Sequence, residues 1–227
     1  MAFLDWAASH RVIAGRIASA VPDFALAGFF AITWFMPTAF GTRTFGRCEE
    51  IMLMEFIIVH SSAFLGFAMT APKRRSTRVF SVIGLGLLYS LFVGSFALAF
   101  HNVWLLASFW GLLINRTLSI IFGPTPREGD LDFIVVGWAT AVVCYLGFIF
   151  LTAFANLPRF GVTAAAVAAQ SIPGGGIWAD EPVRVVAFGL FYYAAIGVTE
   201  LFGLGMPPPD TGQAASPALR RARRSHA

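Results

Sequence analysis

Four ionisable side chains stand inside long apolar stretches of this chain: Glu55, His60, Arg116 and Glu200. Charge in hydrocarbon is costly, so such groups pair, meet water or do chemistry. On a helical wheel Glu55 shares a face with Val59, Ser62 and Gly66. That small, polar face meets other helices. Glu55 then has two readings: a relay or contact for a proton, ion or substrate, or a hydrogen-bonded carboxyl that fixes packing. No basic residue lies in the same half of a span. The expectation is a carboxyl that is either protonated and hydrogen-bonded, or wet and facing an outward-opening cavity.

His60 follows Glu55 by five residues, about 140° around a helix, so the two do not share a face. It lies among Phe56, Phe64 and Phe67. A bis-histidine haem would need His101, which is displaced by roughly 15 Å along the membrane normal. No cofactor is therefore expected. A polar, small-residue stripe runs through His101, Trp104, Ser108, Gly111, Asn115 and Ser119. It reads as a helix–helix interface or as the wall of a groove. Arg116 and Glu200 have matching depths and are expected to pair, with Tyr193 on the face of Glu200. Gly86, Ser90 and Gly94 form a packing ridge at four-residue spacing.

These residues need long helices to hold them. Of 227 residues, 57% are hydrophobic and 12% charged. A soluble domain carries roughly 25% charged residues, so this chain could not cover a water-facing surface. Spans of about 20 apolar residues are read at 22–40, 50–71, 79–99, 102–122, 132–156 and 183–204. Backbone amides in a bilayer must bond within their own segment, which makes these segments helices. The expected fold is all-α: a polytopic bundle of about six transmembrane helices (22–204), preceded by an amphipathic interfacial helix over 1–21 and followed by a disordered basic tail over 205–227. Asp130 is placed to cap the fifth span. The Ala-rich part of 157–182 suits a short interfacial or re-entrant helix, and Asp180 before Pro182 reads as a helix start.

Net charge is +4, and it is confined to loops and tails. The charge therefore reports topology and not nucleic-acid binding. Eleven Lys and Arg residues fall on the side of the termini and four on the other, which places both termini in the cytoplasm. Arginine is strongly favoured over lysine, which fits a bacterial inner membrane. Lys73, Arg74, Arg75 and Arg78 are read as contacts to anionic headgroups. Cys48 and Cys144 are unpaired thiols, and no metal-ligand spacing or phosphate loop occurs. The sequence favours a non-enzymatic accessory or structural membrane component. It would meet the lipid bilayer and either a membrane-protein partner or further copies of itself. The alternative is a small transporter or channel with a proton- or ion-linked pathway near Glu55 and His60.

Overall fold

The computed structural model describes residues 2–71, 74–122, 130–172 and 175–203. Every described element is helical: α1 (Ala2–Phe35), α2 (Thr44–Thr70), α3 (Arg75–Ala99), α4 (Trp104–Phe122), α5 (Asp130–Phe154), α6 (Ala164–Ala168), α7 (Ile177–Asp180) and α8 (Pro182–Leu201). Six of these, all but α6 and α7, are long and apolar enough to cross a membrane. The protein is a helical membrane bundle. Lys73, Arg127 and the tail with its four arginines lie outside the described residues, as do the side chains of Asp130 and Ser119.

Short connections make successive spans alternate in direction. One end of the bundle carries the connections 36–43 and 100–103 and the long 155–181 segment; this is the loop end. The terminal end carries the start of α1, the α2–α3 turn and the end of α8. At the loop end, α6 is the short Ala-rich helix that the sequence suggests, and Thr163 Oγ1 accepts from Ala166 N to cap it. Pro182 stands in the first turn of α8, but the capping position is Glu181, while Asp180 closes α7.

The first helix differs from expectation. The break near residue 21 is absent, and α1 runs unbroken for 34 residues with Pro22 inside it. Proline removes one amide donor. Membrane helices tolerate that where neighbouring elements re-satisfy the backbone. Residues before Arg16 extend past the end of α8, because Gly203 sits against the Arg16 side chain.

Apolar burial does not drive helices together within lipid, so close packing must. Helix α8 is the central strut, with 56% of its span buried against 6% for α5. It lies along α1, where Gly189 receives the ring of Phe30 and Gly197 the ring of Phe24. Gly86 of α3 likewise receives Leu113 of α4, and Gly66 of α2 receives Ile134 of α5. Gly94 has open space around it, so only part of the α3 ridge packs. The largest core cluster joins Phe30, Trp34, Phe45, Met52, Val185 and Phe188 near the loop end.

Candidate functional site

Glu55 lies three turns into α2, two residues from the helix midpoint, because α2 begins at Thr44 and not near residue 50. Its carboxyl is met by two adjacent phenols of α8. Tyr192 OH donates to Oε1 at 2.6 Å, and Tyr193 OH donates to Oε2 at 3.2 Å. Adjacent residues on a helix rarely face one partner, but their long side chains straddle Glu55 here. Tyr145 closes the same layer from α5 by donating to Met52 O at 2.9 Å.

Beneath this layer, towards the terminal end, the helices separate around a cavity of about 360 Å³. Its walls come from α1 (Asp23), α2 (Glu55, Ser62), α5 (Trp138, Thr140) and α8 (Thr199, Glu200). Among the described residues, three carboxyls line this one cavity and no basic residue does. Asp23 and Glu200 approach each other side by side, within hydrogen-bonding range, with Ser19 next to Glu200. Glu200 Oε2 is buried and has no hydrogen-bond partner among the described residues. Two neighbouring carboxylates repel unless a proton or cation stands between them. Trp138 is pinned in the wall by its indole N–H, which donates to Val59 O at 3.1 Å.

Above the phenol layer the helices close around a buried core. Phe30, Phe45, Met52, Val185 and Phe188 are fully buried there. Gln170 ties the long loop segment across the top: its amide donates to Pro37 O at 2.9 Å and accepts from Phe45 N at 3.1 Å. Trp34 Nε1 donates to Pro158 O at 2.9 Å. Glu55 therefore faces a carboxyl-lined cavity on the terminal side and a packed layer on the loop side, where Thr33, Thr44 and Glu49 are buried as well. Of the two states expected of Glu55, the structure shows the hydrogen-bonded carboxyl, with a cavity beside it on the terminal side.

The other residues singled out from sequence distribute as follows. Ser62 lines the cavity, and Arg116 Nη2 donates to Ser62 Oγ at 3.2 Å. Arg116 thereby faces Ser62 and not Glu200, and the expected Arg116–Glu200 ion pair does not form. Tyr193 joins Glu55 instead of Glu200. His60 points away from the cavity to the bundle surface, stacked on Phe56 at 5.7 Å with Phe64 and Tyr89 edge-on. His101 is exposed in the turn before α4, and Ser108 and Asn115 lie on the exposed face of α4, because Leu105, Phe109 and Leu113 take the buried face against α3. The stripe is thus no wall of the cavity. Among the basic headgroup candidates, Arg74 and Arg75 are exposed. Arg78 is buried, and its Nη1 donates to Met69 O in the last turn of α2. Arg78 therefore braces a helix end and is not offered to lipid.

Sequence reasoning missed Asp23. The available signal was an acid immediately after Pro22 and just before an apolar run. A helix continuing through the proline turns that acid inward, beside Glu200.

No protein-family model, curated protein or solved structure matches this chain.

Proposed function

We propose that this membrane protein is a small transporter whose central site is the cavity between α1, α2, α5 and α8, with Glu55 carrying the proton or cation at its closed end. The single observation that supports this most is the asymmetry around Glu55, with a carboxyl-lined space on one side and a packed plug on the other. A site reached from one end only would be one half of an alternating-access cycle.

The excess of basic residues near the termini supports a bacterial inner-membrane location with both termini cytoplasmic. The cavity then belongs to the cytoplasmic half, and Gln170 with its loop partners forms the external seal. The test is proton- or cation-dependent flux in proteoliposomes, comparing the native chain with Glu55→Gln. That substitution keeps the shape and removes the charge. Loss of flux with unchanged thermal stability supports transport. Equal flux from both proteins, or none above empty vesicles, contradicts it.

A second reading, an accessory subunit, has its own observation. Helix α4 turns Trp104, Ser108, Gly111 and Asn115 to the bundle surface, and His101 is exposed in the turn before it. Polar and small residues facing outward suit contact with another membrane helix. Co-purification of a distinct membrane protein, lost on Ser108→Leu, is the outcome that favours it.

A further inference from the structure

The cavity is large and its acids are spread along it, and these two facts narrow what it holds. Among the described residues, no three His, Cys, Asp or Glu side chains group closely enough to hold a metal ion. Glu55 stands beside Tyr192, about two turns along α8 from Glu200. A bare ion bridging both acids is excluded by that separation. A proton alone needs none of the 360 Å³ of space. At ~30 Å³ per water molecule, the volume equals roughly a dozen water-sized groups. The walls also carry Ile58, Ile134 and Ile196, with the aromatic rings of Trp138 and Tyr192. Such a mixture of acids, hydroxyls, aliphatic surface and aromatic rings suits an organic cation: aromatic faces attract positive charge, and carboxylates accept its N–H groups. Among the described residues, Glu200 Oε2 has no hydrogen-bond partner.

We infer that the cavity between α1, α2, α5 and α8 binds a small organic cation bearing N–H donors, an alkylamine or a guanidinium, with its charged head on the Asp23–Glu200 pair and its carbon end directed towards Glu55. The inference rests on the transport reading for its biological setting, but binding can be measured without flux. Carboxyl oxygens of Glu200 and Asp23 take two N–H groups of the cationic head. The aliphatic walls and Trp138 enclose its carbon chain. Ser62 and Thr140 set polar contacts along the way. A quaternary ammonium has the charge but no N–H, so it satisfies the rings and leaves the acids without donors.

The experiment uses the full chain in detergent and measures binding by calorimetry with n-butylamine, methylguanidine and tetramethylammonium as chlorides, against sodium chloride at equal ionic strength. The two N–H cations are expected to bind saturably, and more tightly than tetramethylammonium. Glu200→Gln should weaken them about tenfold or more, since a charge-assisted bond is lost, and Glu55→Gln should weaken them by less, since it removes only a longer-range attraction. Ser108→Ala, on the outer face of α4, should bind as the native chain does. Trp138→Phe is the second variant, because it keeps an aromatic ring and removes the pinning hydrogen bond. It should weaken binding by less than Glu200→Gln. Absence of saturable binding, an identical response to sodium chloride, or binding unaffected by both acid substitutions overturns the inference. If amine binding is absent while proton flux in proteoliposomes persists, the organic-cation assignment fails and the transport reading survives. If amine binding depends on Glu55 and Glu200 but no flux is found, the binding site stands and the transport reading fails.

Discussion

Replacing Tyr192 by Phe removes one hydroxyl and leaves the ring, so it isolates the 2.6 Å bond to Glu55 Oε1 from the packing of α8. Tyr192 is 1% exposed, so water does not replace the lost donor readily. A hydrogen bond to a charged group contributes ~1.5–3 kcal/mol in soluble proteins and a neutral one ~0.5–1.5 kcal/mol. Interhelical hydrogen bonds in membranes average about 0.6 kcal/mol and reach about 1.7 kcal/mol. Tyr192→Phe should therefore cost roughly 0.5–2 kcal/mol. Tyr193→Phe should cost less, because its contact with Oε2 is longer, at 3.2 Å. The assay is reversible unfolding of the detergent-solubilised protein by titration with a denaturing detergent. It is run as a double-mutant cycle with Glu55→Leu, which removes the acceptor. The two substitutions share one bond, so a coupling of about 0.5–2 kcal/mol is expected. Additive losses would refute the assignment of Tyr192 as the partner of Glu55. A larger loss for Tyr193→Phe would reverse the ranking of the two phenols.

Three further outcomes follow from the same packing. Gly189→Ala places a methyl group in the ring of Phe30 and should cost about 1–3 kcal/mol as an overpacked site, whereas Gly111→Ala, with open space around it, should stay within about 0.5 kcal/mol of the native chain in the same unfolding assay. Arg116→Gln and Glu200→Gln should be additive within ~0.5 kcal/mol, since Arg116 bonds Ser62 and the two residues share no partner. Gln170→Ala leaves Phe45 N and Pro37 O without their buried partner; it should lower stability by about 1–3 kcal/mol and speed amide hydrogen exchange at residues 44–46, read by mass spectrometry.

Much of the fold was legible because the bilayer imposes one rule on every span. Apolar length identified all six, and the spacing of Glu55, Val59, Ser62 and Gly66 identified the inward face of α2. In the structure Val59 and Gly66 are buried and Ser62 lines the cavity beside Glu55. A helical wheel states which residues share a face but not what that face meets. The stripe of α4 was therefore legible as a stripe, yet its outward direction depends on α4 packing against α3 through Leu105, Phe109 and Leu113. Equal depth of Arg116 and Glu200 did not make them neighbours, because depth leaves the position around the bundle undetermined. Asp23 escaped notice because Pro22 reads as a boundary in a single sequence. Only the contact of α1 with α8, through Phe24 on Gly197 and Phe30 on Gly189, shows that the helix continues and where its acid points.

The most direct test of a wet, one-sided carboxyl cavity is its accessibility to an aqueous thiol reagent. Thr140→Cys and Thr199→Cys place probes in the cavity wall, in a background of Cys48→Ser and Cys144→Ala that removes both native thiols. Phe188→Cys, in the fully buried plug, is the matched control. A membrane-impermeant maleimide is applied to sealed vesicles of each orientation. The expected result is labelling of both cavity positions from the side that carries the termini, none from the opposite side, and none at position 188 from either. Failure to label positions 140 and 199 from either side would mean a dry interior and would contradict the cavity as a functional site.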